Sequence, residues 1–287
     1  MIELEQLRYV RLGTRDLRSA ADFATNILGL EQVRTEPDRT YFRSDFRDHT
    51  LCYVLAEPSY ASFAFDVRTA ESLETAKRAL ADFGVKFRPG TEDECADRRV
   101  KAFVAFEDRS GNTIEIVLRP LMSGWRYFPS RDTGVKGLQS VALRSTSPDD
   151  ERLWTTVFKA QVSDWVGEAA YIRTDTLHHR LSLHPSARNG LLAVTYEVEG
   201  IDQIMQTLYY LRNHQVRVKH GPGRQPTSAQ MFITFEGPDE MLFTFASGMT
   251  KIVDDSTHLP RQFPDVAKSY CGWGSDVSIP ELAGRRG

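Results

Sequence analysis

Cysteine is scarce in this chain: three residues in 287, Cys52, Cys95 and Cys271, far apart and without a C-x-x-C pair. That spacing indicates neither a disulfide framework nor a thiolate zinc site. Runs of Lys and Arg are also missing, and the formal charge is -3. A nucleic-acid or anionic-membrane surface needs a concentrated positive field, so both partners are excluded and a small-molecule partner is expected. No apolar run approaches the roughly 20 residues that span a bilayer. The start, Met1-Ile2-Glu3-Leu4-Glu5, is not a charged-then-apolar leader. A cytoplasmic protein is expected.

What is present is ordinary globular composition, 41% hydrophobic and 26% charged, enough for one large or two ordinary domains. Leu7 to Leu12 reads as a strand. Thr14-Arg15-Asp16 then offers a helix cap, with Leu17, Ala20, Ala21, Ala24 and Leu28 at helical spacing and Gly29 as the stop. Strand patterns follow near 32–35, 40–44 and 51–55. A second unit repeats the order: strand 61–67, helix 70–83, strands near 85–87, 100–106 and 113–118. Each unit is βαβββ.

After a connector from Pro120 to Val135 the order recurs, with strand 138–143, helix 149–158, strands through 171–183, strand 191–198, a helix carrying Ile201, Ile204, Met205, Leu208 and Leu211, and strands near 216–219, 231–235 and 242–245. Leu7 and Leu138 are 131 residues apart, as are Asp66 and Glu197, while Tyr41 and Tyr171 are 130 apart. A near-constant offset through matched patterns indicates duplication. The expected organisation is a first domain over 1–120, a linker over 121–135, a second domain over 136–250 and a tail over 251–287 that covers it.

Two of the seven histidines lie side by side in Tyr171-Ile172-Arg173-Thr174-Asp175-Thr176-Leu177-His178-His179-Arg180-Leu181-Ser182-Leu183. Read as a strand, this stretch alternates, so His179 shares a face with Leu181 and Leu183 and His178 points away. A half-buried imidazole on an apolar face is either a structural residue or a group that exchanges a proton near neutral pH. His49 stands 130 residues before His179 and is its repeat equivalent.

Paired βαβββ units in this order, with the ending Ser110-Gly111-Asn112-Thr113-Ile114-Glu115-Ile116 and the turn Gly221-Pro222-Gly223-Arg224, resemble the vicinal oxygen chelate superfamily. The two-domain form resembles its type I extradiol ring-cleavage dioxygenases. The resemblance implies an α+β fold of two tandem domains, each an open curled sheet of paired βαβββ modules. It also implies iron or manganese held by two histidines and a glutamate. Carried over residue by residue, those ligand positions fall on Ser140, Ala193 and Thr244, none of which is a strong donor. The first domain offers Tyr9, Ser62 and Glu115 at the same places, and no cofactor or metal is expected in either. His179 matches the family's acid/base histidine, while Gln225 and Thr234 replace its other oxygen-handling residues.

The expectation is therefore a metal-independent enzyme acting on a small phenolic or ring-cleaved aromatic ligand. His179 would be the general acid or base, and Ser140, Ala193, Tyr196, His220, Gln225, Thr234 and Thr244 would surround the ligand. Hydrolase, lyase or isomerase chemistry would suit. The alternatives are a non-catalytic binding or regulatory subunit and a dioxygenase with a displaced metal site. A homo-oligomer is expected.

Overall fold

The computed structural model describes residue 2 and residues 4–284; the remaining parts of the expected first domain, N-terminal segment and tail lie outside the described residues. Eight strands build the first sheet: β1 (Leu7–Thr14), β2 (Glu31–Glu36), β3 (Arg39–Arg43), β4 (Leu51–Leu55), β5 (Ala61–Val67), β6 (Phe87–Pro89), β7 (Ala102–Glu107) and β8 (Thr113–Leu118). Their order across the sheet is β2-β3-β4-β1-β5-β8-β7-β6, so each βαβββ unit supplies one half. The second sheet contains β9 (Val135–Ser145), β10 (Gln161–Val166), β11 (Ala169–Arg173), β12 (Leu181–Pro185), β13 (Gly190–Val198), β14 (Val218–Arg224), β15 (Met231–Glu236), β16 (Leu242–Ser247) and β17 (Arg261–Phe263). Its order is β14-β15-β16-β13-β9-β12-β11-β10-β17. Register repeats with the sequence: Val10 pairs with Leu51 in the first sheet and Val141 with Leu181 in the second.

Alternation sorts each strand into two faces. On β1, Val10 and Leu12 enter the core, whereas Tyr9 lies in a separate cluster on the other side. Helices α1 (Leu17–Asn26), α2 (Ala70–Asp82), α4 (Asp149–Val157) and α5 (Ile201–Asn213) bury their apolar stripes against the sheets in one continuous core shared by both halves. Trp154 of α4 is fully buried and stacks on Phe63 and meets Phe65 edge-on, both from the first sheet. Phe23 of α1 packs on Phe235 and Phe243 of the second. Truncating an aromatic of this kind to Ala costs about 3–5 kcal/mol, so each half depends on the other.

Local signals set the ends. The Asp16 carboxylate accepts from the backbone N–H groups of Arg18 and Ser19 at 3.0 Å and starts α1. Gly29, with φ +74°, turns the chain after it. A further helix, α3 (Glu92–Arg98), was not expected, although Thr91 and Glu94 form the reciprocal capping box its sequence offers. The motif at 110–116 also acts as a joint. Asn112 donates to the Arg144 carbonyl at 3.0 Å and accepts from the Gly190 N–H at 2.6 Å, while Asp150 accepts from Arg109 N at 2.9 Å and Ser145 Oγ at 2.5 Å.

Two sequence readings need correction. Residues 171–183 are not one strand: β11 ends at Arg173, β12 begins at Leu181, and a turn between them carries both histidines. Gly221-Pro222-Gly223-Arg224 lies within β14, where the register shifts between His220 and Gly223, rather than in a free turn. Beyond residue 250 the chain adds β17 to the edge of β10, forms the short helix α6 (Ala267–Tyr270) and returns across the second sheet, where Val277 bridges to His220. Among the described residues, no helix is long and apolar enough to cross a membrane.

Candidate functional site

A row of polar side chains runs across the second sheet. Ser140 of β9 is the register partner of Thr195 on β13, Thr195 of Thr244 on β16, Thr244 of Thr234 on β15, and Thr234 of His220 on β14. Residues paired in register share a face, so five consecutive strands present hydroxyls and an imidazole to one side. The Thr234 and Thr244 hydroxyls meet at 2.8 Å. This row floors a cavity of about 50 Å³, lined also by Ala193, Leu242, Gln225 and Gln230 and by Tyr270, Ile279 and Leu282 from the C-terminal segment. Among the described residues, no Lys, Arg, Asp or Glu lines it. The volume is well below the roughly 300 Å³ at which ordinary ligand pockets begin.

Three imidazoles face this cavity: His179, His184 and His220. The Tyr171 ring contacts two of them edge-on, its centroid 5.1 Å from His179 and 5.8 Å from His184. His179 is buried, and burial, followed by the neighbouring His178, His184 and Arg180, pulls its pKa well below the usual histidine value. Burial lowers His184 and His220 to about 4 each. All three are therefore neutral near pH 7, with lone pairs available as acceptors. His184 Nδ1 and His220 Nδ1 have no hydrogen-bond partner among the described residues.

Behind His179 stands a chain of buried polar groups. His179 Nδ1 and His178 Nδ1 are 3.1 Å apart, and His178 Nε2 donates to Asp164 Oδ2 at 2.9 Å. Asp164, fully buried on β10, also accepts from the Arg261 guanidinium at 2.6 and 3.1 Å and from the Arg261 backbone N–H at 2.8 Å. Burial alone would raise the Asp164 pKa, but the bonds from His178 and Arg261 bring it below the ordinary value, so it is a carboxylate. Burial lowers His178 in turn, outweighing Asp164.

The structure brings Ser140, His179, Ala193, His220, Gln225, Thr234 and Thr244 to one cavity. Tyr196 is the exception and is corrected: it follows Thr195 on β13, so it faces the opposite way and is fully buried in the common core. Leu181 and Leu183 are likewise core residues, and it is Ser182 and His184 that share the cavity with His179. The expected parity failed because the intervening residues form a turn. For the same reason His178 does not point to solvent; it is 1% exposed and bonded to both His179 and Asp164. Sequence reasoning missed Thr195, Ser182, His184 as a lining residue, Gln230, Asp164 and Arg261. The first three were available from alternation through Ala193 and along β12, whereas the last two required the path of the tail.

The corresponding face of the first sheet is filled. Glu115 is buried between Arg98, which donates to it twice at 2.8 Å, Tyr9 at 2.6 Å and Ser62 at 3.2 Å. Burial would raise this carboxyl, yet the Arg98 guanidinium brings it below its usual value. Arg11 pairs with Asp97 at 2.8 Å, and both Asp97 and Arg98 come from α3. His49 stacks on Tyr9 with centroids 5.0 Å apart and bonds Asp48 at 3.0 Å.

Residues 6–116 match the model of the Glyoxalase/Bleomycin resistance protein/Dioxygenase superfamily. The chain is 25% identical, over 97% of its own length and 99% of the relative's, to an iron-dependent extradiol dioxygenase of Rhodococcus jostii strain RHA1. In fold it is similar to a halotolerant catechol dioxygenase, with a TM-score of 0.88, 19% identity and coverage of 98% of this chain and 97% of that one. It is similar also to the Mn(II)-bound glyoxalase from Novosphingobium aromaticivorans, with a TM-score of 0.87, 19% identity and coverage of 100% and 96%. At that identity the two structures speak to fold alone. Residues 6–116 thus resemble this superfamily, and the fold over nearly the whole chain is that of the two-domain extradiol dioxygenases.

The metal that such a likeness implies does not fit the donors present. Ser140 and Thr244 supply neutral hydroxyls, Ala193 supplies nothing, and the Thr244 hydroxyl is engaged by Thr234. Among the described residues, no three His, Cys, Asp or Glu side chains gather so as to hold an ion.

Proposed function

We propose that the funnel of the second sheet binds a small, uncharged, hydroxylated aromatic or ring-cleaved compound, and that His179 serves there as a metal-independent general base. The observation that carries the reading is a buried, neutral imidazole at a cavity whose other polar groups are hydroxyls, amides and imidazoles without net charge. Such a lining suits a ligand with several hydrogen-bonding groups and no formal charge. A proton taken by His179 from an enol or phenol oxygen and returned to carbon is an isomerisation that needs no other reactant. The same base could activate water for hydrolysis or assist a lyase step, and a positioned base contributes about 10²- to 10⁴-fold.

The test is binding and turnover of catechol-type and ring-cleaved compounds by chelator-treated protein. Chelation should change neither, and His179→Ala should abolish turnover while binding and fold persist. A dioxygenase reading has one supporting observation, the likeness over almost the whole chain to the iron-dependent relative from Rhodococcus jostii. Ring cleavage restored by iron and lost on chelation would establish that reading against ours. Binding at His179 with no turnover of any compound would favour a binding or regulatory subunit.

A further inference from the structure

We propose that Arg261, carried by the C-terminal segment, is a positioning residue: acting through Asp164 and His178, it holds His179 with its proton on Nδ1 and leaves Nε2 bare for the cavity. The inference rests on the reading of His179 as a base. Its logic is a count of donors and acceptors. An ionised Asp164 can only accept, so the 2.9 Å bond fixes the His178 proton on Nε2. Neutral His178 then has a lone pair on Nδ1, and the 3.1 Å contact with His179 Nδ1 is a hydrogen bond only if His179 donates. One proton remains on His179, so Nε2 carries the lone pair. Orientation of a catalytic imidazole through its second nitrogen is a general device.

Arg261 is what keeps the first link charged and in place. It grips Asp164 with backbone and side chain together, and its guanidinium also donates to the Thr227 carbonyl at 2.6 Å. The segment that Arg261 begins continues to Tyr270, Ile279 and Leu282, which close the cavity. It is held at its far end by Glu281, which accepts from Arg144 at 2.7 Å and Ser186 at 3.1 Å. A cavity of about 50 Å³ must widen to admit an aromatic ring. The segment is joined to the second sheet by the pairing of Arg261 to Phe263 with β10 and by backbone bonds from Gly272 to Arg224 and from Ser278 to Lys219, whereas the floor is a continuous ladder. The segment that walls the cavity thus also carries the residue that orients the base.

Histidine-specific ¹⁵N labelling with long-range ¹H–¹⁵N correlation spectra reads the tautomers without any ligand. Wild-type protein should show His178 protonated on Nε2 and His179 on Nδ1. Arg261→Gln should replace both by averaged tautomers while the other five histidines keep theirs. Asp164→Asn can turn its amide N–H toward His178, which should transfer the His179 proton to Nε2. If Asp164→Asn does not fold, the Arg261 side chain is half exposed and its variant carries the test. A wild-type His179 protonated on Nε2, or tautomers unchanged in a natively folded Arg261→Gln or Asp164→Asn, overturns the proposal. Expected tautomers with no catechol binding or turnover would overturn the functional reading and leave the relay standing; turnover with the wrong tautomer would do the reverse.

Discussion

In the first sheet the place that corresponds to Thr244 is held by Glu115, and everything around it is built to neutralise that one carboxylate. Arg98 covers it from above, Tyr9 and Ser62 bond its oxygens from below, and α3 fills the opening. In the second sheet the same positions carry small neutral groups, and Gln225 to Ala229 form a turn where the first sheet has α3. Duplicated strands have thus produced one filled funnel and one that keeps a small cavity. A buried charge demands partners and consumes space, whereas short hydroxyls satisfy one another, as Thr234 and Thr244 do, and leave room. The two funnels should therefore respond differently to the same kinds of perturbation.

The largest difference should come from truncation. Glu115→Ala leaves the Arg98 guanidinium buried without its partner and should cost about 3–5 kcal/mol. Thr244→Ala removes one neutral hydroxyl pair and should cost about 1 kcal/mol. Urea denaturation of both variants checks this. Equal costs would show that the ion pair does not hold the first funnel shut. Replacing Glu115 and Arg98 together by Leu and Met should recover most of the loss, because no charge is then stranded.

Acid should separate the funnels by pH window. The folded-state pKa values of His184 and His220 are pushed down to about 4, below the usual 6.5. The unfolded chain therefore binds more protons in that interval, and the stability these neutral imidazoles confer is complete above 6.5 and lost as pH falls toward 4. The effect is on the order of 3 kcal/mol for each. Glu115, depressed below its ordinary 4.5, contributes stability that is full above 4.5 and disappears only as pH falls through its folded value. Unfolding free energies measured from pH 7 to 4 should accordingly fall in the wild type and fall less in His184→Gln or His220→Gln. A wild-type profile flat over that range would contradict the burial of these two imidazoles.

The fold was legible because duplication, alternation and helix caps are local signals that agree with one another, down to the matched register of Val10 with Leu51 and Val141 with Leu181. Much of the second funnel was legible for the same reason: register carries Ser140, Thr234 and Thr244 to one face without further information. What failed was arithmetic across a break. Counting parity from His179 to Leu181 assumed an unbroken strand, and the turn at 174–180 reversed the faces. Asp164 and Arg261 were beyond reach for a different reason. Their meeting depends on where the tail lies, which no period in the sequence encodes. The filling of the first funnel was half visible: Tyr9, Ser62 and Glu115 were read together at one place, but the helix that brings Arg98 to them was signalled only by Thr91 and Glu94.

The smallest expected effect isolates the boundary between funnel and core within a single strand. Thr195 and Tyr196 are neighbours on β13, yet Thr195 belongs to the polar row and Tyr196 to the apolar core. Thr195→Val keeps the side-chain shape and removes the hydroxyl, so a ligand bonded there should lose about tenfold in affinity, equivalent to roughly 1.4 kcal/mol, with little change in stability. Tyr196→Phe removes a hydroxyl that lies against Thr50 of the first half and lines no part of the cavity. Its effect on ligand affinity should be nil, and its stability change should stay within about 1 kcal/mol. Calorimetric titration of catechol into both variants reads the difference directly. Weaker binding in Tyr196→Phe, with Thr195→Val unchanged, would place the ligand on the other face of β13 and would move the functional site out of this funnel.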